Sequence, residues 1–119
     1  MNANEYQKAA YKFAAYGENA TYAYAGLAEE AGEVLGKFAK FIRKHQGLEP
    51  RAASNWETFK EDYEKYRTDL KKELGDVLWM VAAIATQEKL DLADVMQDNI
   101  NKLTDRLNRG VIVGEGDNR

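Results

Sequence analysis

The stretch Leu27-Ala28-Glu29-Glu30-Ala31-Gly32-Glu33-Val34-Leu35-Gly36-Lys37-Phe38-Ala39-Lys40-Phe41-Ile42 carries its apolar side chains at helical spacing. Leu27, Ala31, Val34, Leu35, Phe38, Phe41 and Ile42 share one side of a 3.6-residue period, which predicts an amphipathic helix from near Thr21 to around Gly47. Strand-like alternation is essentially missing, and Pro50 is the one proline, so the expected class is all-α, a four- to five-helix bundle. Before this helix, Tyr6, Ala10 and Phe13 predict another from about Asn4 to Tyr16, stopped by Gly17. After it, Gly47 to Ser54 reads as a loop, and Ser54-Asn55-Trp56-Glu57 fits a capping box. The charged run Glu57 to Lys72 and the apolar run Leu74 to Leu90 form either one long helix or two pieces with a break near Thr68. Asp91 caps a last helix from about Leu92 to Arg109, closed by Gly110, and residues 111–119 form a polar, glycine-rich, flexible tail.

The chain has 119 residues, room for one domain with a modest core. Its 45% hydrophobic and 31% charged residues describe an ordinary globular protein. No apolar run is long enough to span a bilayer, and the start Met1-Asn2-Ala3-Asn4-Glu5 lacks the pattern of a signal peptide, so a cytoplasmic location is expected. A net charge of −3 with interspersed signs gives no footprint for a nucleic acid polymer. With no cysteine there is no disulfide, thiolate metal site or cysteine nucleophile. One histidine, His45, excludes the paired Glu-x-x-His ligands of di-iron bundles and reads as a capping or surface residue at a helix end.

One short phrase occurs twice: Glu30-Ala-Gly-Glu33-Val34-Leu35 and Glu73-Leu-Gly-Asp76-Val77-Leu78. Positions i and i+3 share a helix face, so each copy aims two carboxylates at one place. With Leu27 and Leu70 set to zero, Glu30 and Glu73 fall at about 300° and Glu33 and Asp76 at about 240°. Both pairs therefore flank their apolar stripes in the same register. Four carboxylates in one cleft repel one another and resist desolvation, and a cation relieves both costs. In a chain without cysteine, that cation is hard and oxygen-preferring, magnesium first and manganese as a substitute. Gly32 and Gly75 recur at matching positions although glycine costs a helix about 1 kcal/mol, which predicts close approach of the two helices. Lys37 and Lys40 follow Glu33 at i+4 and i+7 and are either surface ion-pair partners or contacts for a ligand phosphate.

In the last helix, Val95, Asn99, Lys102 and Arg106 form a line overlapping the stripe of Leu92, Met96, Leu103 and Leu107. Asn99 and Arg106 thus stand where apolar groups belong and need polar partners. Phosphate oxygens suit an arginine fork, and a buried carboxylate is the other candidate. Tyr22, Tyr24, Trp56 and Trp79 are read as core residues rather than as platforms for a stacked base.

The pattern Glu29-Glu30-x-x-Glu33 followed by Glu73-x-x-Asp76 resembles the signature of the MazG-like nucleoside triphosphate pyrophosphohydrolases, in the all-α NTP pyrophosphatase superfamily. The resemblance extends to Gly26-Leu-Ala-Glu-Glu-Ala-Gly-Glu-Val34, to Asn99-Ile-x-Lys102-Leu-x-x-Arg106 and to Gly114-x-Gly-Asp117-Asn-Arg119. It implies one MazG-like domain over residues 1–119, with 47–67 as an insertion, because the spacing from Glu33 to Glu73 exceeds the family's usual one. It also implies cleavage of a (deoxy)nucleoside triphosphate between the α and β phosphates by a homo-dimer or tetramer. Glu30, Glu33, Glu73 and Asp76 would hold magnesium, with Glu29 or Glu33 as general base. Lys37, Asn99, Lys102, Arg106 and Arg119 would bind the phosphates. The reading from another class is a noncatalytic helical interaction module with a structural cation site.

Overall fold

The computed structural model describes residues 1–17, 19–45 and 56–118. Four helices follow in order: α1 (Ala3–Tyr11), α2 (Tyr22–Lys44), α3 (Trp56–Gln87) and α4 (Leu92–Asn108), and the described residues include no strand. The expected all-α class is what forms. No helix among the described residues is long and apolar enough to cross a membrane. The loop read from 47 and the capping serine at 54 lie outside the described residues.

α1 starts one residue earlier than its pattern suggests, because Asn2 and Glu5 build a reciprocal capping box. It also ends at Tyr11, well before Gly17, with turns filling the interval. α3 is one continuous helix of 32 residues. No break occurs at Thr68, whose hydroxyl donates to the Glu64 carbonyl one turn back and so stays within the helical ladder. At the α3–α4 turn, Lys89 takes a left-handed conformation (φ 56°), and Asp91 caps α4 through the amides of Ala93 and Asp94. Gln7 of α1 clamps this turn: its amide donates to the Leu90 carbonyl and its oxygen accepts from the Leu92 amide. α4 thus enters the fold through α1.

α2 and α3 run antiparallel and are pinned near both ends. At one end the packing uses small residues, with Ala23 and Gly26 against Met80 and Ala83. A Cβ added at Gly26 would stand 2.6 Å from the Met80 sulfur, so this glycine is the site of close approach. At the other end the packing is aromatic. Phe41 meets Phe59 edge-on at 5.5 Å and stacks on Tyr66 at 5.0 Å, while His45, the C-cap of α2, sits between Phe41 and Phe59. The charged run after Glu57 therefore hides an apolar face, Phe59, Tyr63 and Tyr66, at helical spacing. Across it, Asp62 receives Lys44 at 2.9 Å and His45 at 3.2 Å.

Two expectations are corrected. A Cβ at Gly32 or Gly75 meets nothing within 4 Å, so the matched glycines do not mark the helix contact; the contact is one to two turns away at Gly26. Tyr22, Tyr24 and Trp56 are exposed rather than core, as are Leu35 and Phe38 of the α2 stripe. The stripe is wider than α3 alone can cover.

Replacing Gly26 with alanine should lower stability by about 1–3 kcal/mol, because the added methyl must displace a buried methionine. Gly32→Ala and Gly75→Ala should instead raise it by up to about 1 kcal/mol through helix propensity alone. Chemical denaturation of the three variants checks both signs.

Candidate functional site

Between the two pins of the α2–α3 pair lie the carboxylates. Glu30 from α2 and Glu73 and Asp76 from α3 each present an oxygen, and these oxygens lie within 4.8 Å of one another. Their burial follows the helical wheel: Glu73 is buried, Glu30 half-buried and Asp76 exposed. Glu33 completes the group on the exposed side, facing Glu73. The four acidic residues of the repeated phrase therefore converge, although they come from two helices.

Charge crowding is visible in how these groups bind protons. The Glu30 carboxyl is pushed above its usual range by burial, then by the charges of Asp76, Glu33, Glu29 and Glu73. Glu33 is also raised, first by a hydrogen bond with Glu73 that its protonated form donates, then by the Glu73 charge. Lys37 answers part of this charge. Its ammonium stands 3.1 Å from Glu73 Oε1, and that bond holds the lysine proton more tightly than usual. The lysine pairs across the helices rather than with Glu33 on its own.

These residues fit a hard divalent cation. All donors are carboxylate oxygens, they come from two rigid helices, and the elevated proton affinity of Glu30 and Glu33 shows a place where positive charge is favoured. Glu29 is exposed and lines a shallow recess with Gly32, Glu33, Gly36, Lys37 and Lys40.

Beside Asp76 opens a mostly apolar cavity of about 430 Å³, lined by Met1, Tyr6, Ala9, Ala10, Phe13, Gly75 and Trp79. Trp79 is oriented by a 3.1 Å hydrogen bond from its indole nitrogen to the Ala10 carbonyl. Tyr6 is near enough to Asp76 that, after burial, this carboxylate helps raise its phenol pKa. From sequence, Tyr6 and Phe13 read as one face of the first helix and Trp79 as core rather than as a platform for a base. The available signal was Trp79, three residues after Asp76 and so on a neighbouring part of the same helix face.

The polar line of α4 lies elsewhere. Asn99 and Lys102 are exposed, and Arg106 is buried. Arg106 Nη2 donates to the Asp117 carbonyl at 2.8 Å and to its carboxylate at 3.3 Å, so the chain after α4 folds back to satisfy it. Lys102 reaches the same carboxylate at 4.0 Å. Among the described residues, none of the three bonds to the carboxylates of α2 and α3. Arg119 lies outside the described residues.

The sequence profile of the MazG nucleotide pyrophosphohydrolase domain matches residues 18–111. The chain is also similar to the Gene 37 protein of Mycobacterium phage L5, with 41% identity over 102 residues that span 86% of this chain and 78% of the phage protein. No solved structure matches the chain.

Glu30→Gln and Asp76→Asn should each weaken binding of manganese or magnesium by at least about tenfold, read by calorimetry. Unchanged affinity in both would refute the cation assignment. Because the ionised carboxylates bind the cation and Glu30 and Glu33 hold protons above the usual range, affinity should fall on acidification, starting at a higher pH than ordinary carboxylates would give. A titration of manganese binding against pH measures this.

Proposed function

The chain belongs to the MazG nucleotide pyrophosphohydrolase domain family, and from that membership we propose that it is a magnesium-dependent enzyme cleaving a (deoxy)nucleoside triphosphate to the monophosphate and pyrophosphate. The observation that carries the reading is the convergence of Glu30, Glu73 and Asp76, with Glu33 beside them, in the seam of two helices. These four residues would hold the cation. When bound, magnesium supplies neutralising charge for the phosphates and a more acidic water.

The remaining chemistry belongs to the protein. Water adds to the α-phosphorus, the bond from that phosphorus to the α,β-bridging oxygen breaks, and the bridging oxygen leaves with the β-phosphate. A carboxylate takes the proton of the attacking water. Glu33 is suited to this by its raised proton affinity and exposed position, and Glu29, one turn before it and also exposed, is the second candidate. Lys37 neutralises phosphate charge from its place against Glu73. The cavity of Tyr6, Phe13 and Trp79 offers the nucleobase a flat apolar wall next to Asp76.

We assign Asn99, Lys102 and Arg106, with Arg119, to the phosphates of a site completed by a second copy, in a homo-dimer or tetramer. Supporting this, the radius of gyration is 18.2 Å, against about 13.5 Å expected for a compact domain of this length. The uncovered apolar residues also fall into two sets, Leu35, Phe38, Leu74 and Leu78 on α2 and α3, and Met96, Ile100 and Leu107 on α4. Arg106 exchanges its bonds to Gly116 and Asp117 for phosphate oxygens in this arrangement. The chain is taken as one domain, with residues 47–67 as an insertion between the acidic pairs and 111–119 as a tail, acting in the cytoplasm on a free nucleotide.

Pyrophosphate release over a panel of ribo- and deoxyribonucleoside triphosphates, with magnesium and with chelator, tests the reading. Release should require the cation, and Asp76→Asn should reduce it by about a hundredfold or more while helicity is retained. Silence on every nucleotide would overturn the assignment and favour a noncatalytic cation-binding module.

A further inference from the structure

The α2–α3 seam does not end at the carboxylates. On α2, Glu30, Glu33, Lys37, Lys40 and Lys44 follow one another along one side of the helix, and on α3 the matching line is Asp76, Glu73, Asp69, Lys65 and Asp62. The bonds Lys37 to Glu73 and Lys44 to Asp62 fix the register of these two lines. Past Lys37 the seam opens into a cavity of about 300 Å³ lined by Lys37, Lys40, Lys44 and Lys65, with Asp62 and Asp69, over the rings of Phe41 and Tyr66.

The charge balance there favours an anion. Asp62 is already bonded to Lys44, with His45 Nε2 3.2 Å from its second oxygen, and Asp69 is shared by Lys65 and Lys72. Lys37 is held by Glu73. Lys40 has no hydrogen bond or ion pair among the described residues. Lys37, Lys44 and Lys65 thus each have a carboxylate partner and Lys40 has none, which leaves the recess with more ammonium than carboxylate groups. An anion with several oxygens can reach Lys40 and its paired neighbours together, as a diphosphate does.

Position gives the cavity a role. Lys37 and Lys40 follow Glu33 by four and seven residues, about 6 and 10 Å along the helix axis. The apolar cavity of Tyr6 and Trp79 lies on the opposite side of the carboxylates, against Asp76. The order along α3 is therefore aromatic wall, carboxylates, lysines. We propose that the lysine cavity is a diphosphate site, which receives the β- and γ-phosphates of the substrate and holds inorganic pyrophosphate after cleavage, so that the nucleoside points toward α1. This rests on the pyrophosphohydrolase reading for its catalytic meaning. When the bond to the α-phosphorus breaks, its electron pair stays on the bridging oxygen that leaves with the β-phosphate, and the lysines lie where that negative charge accumulates. Lys65 and Tyr66 come from the longer segment between the acidic pairs, which gives that segment a use.

The test is calorimetric titration of inorganic pyrophosphate into the whole protein with magnesium, for wild type, Lys40→Gln and the double variant Lys40→Gln/Lys65→Gln. Lys40 has no described partner and Lys65 pairs within its own helix, so both substitutions spare the α2–α3 bridges. The double variant should bind pyrophosphate about tenfold or more weakly, with a shallower salt dependence, while magnesium affinity without phosphate and affinity for the monophosphate stay unchanged. Pyrophosphate affinity equal to wild type in a folded double variant overturns the proposal, even where turnover establishes the enzyme. Lysine-dependent pyrophosphate binding by a protein that hydrolyses no nucleotide upholds the site and overturns the pyrophosphohydrolase reading instead.

Discussion

Everything in this fold depends on holding negative charge in the seam between two helices. Left alone, α2 and α3 would separate where Glu30, Glu33, Glu73 and Asp76 meet. They are kept together because the pair is fastened on both sides of the acidic cluster, by Gly26 against Met80 at one end and by Phe41 against Phe59 and Tyr66 at the other. Nonpolar packing, which has no preferred charge state, thus offsets an electrostatic cost that is local and directional. The repulsion appears instead as elevated proton affinity at Glu30 and Glu33 and as the Lys37 bridge to Glu73. A site strained in this way suits a cation.

The packing on either side of the acidic cluster gives α3 a direction. Small residues allow α1 to cross α3, bringing Ala10 beside Ala82 and placing Tyr6 and Trp79 next to Asp76. Aromatic residues at the far end fill the gap between α2 and the first turns of α3, and the lysines on their rim remain outside. Apolar wall, acidic centre and basic recess follow in a row. In the proposed reaction that row matches the nucleoside, the scissile phosphate and the leaving diphosphate.

Parts of this were readable in the chain. The repeated phrase disclosed the acidic pairs, because both carboxylates of a pair lie on one helix and helical periodicity alone sets their relation. The Asp91 cap was readable for the same reason, since capping is local. Misreadings occurred where a partner was needed. Gly32 and Gly75 looked like contact residues because they repeat, yet contact depends on what the other helix places opposite, and Met80 stands opposite Gly26. Leu35 and Phe38 looked like core because they lie on the stripe, but no described helix covers them. The run from Glu57 to Lys72 reads as charged in sequence, and its aromatic face shows only against Phe41, which supplies a surface to pack on.

By itself, then, the sequence determined the helical class and the two carboxylate pairs, since each follows from spacing within a helix. Only the tertiary structure decided that the pairs meet, that Lys37 pairs with Glu73, that Tyr6 joins Asp76, and that Arg106 is satisfied by the chain beyond α4. The reason is physical. Helical periodicity orients side chains within one helix, whereas the meeting of two helices depends on which of their surfaces exclude water together.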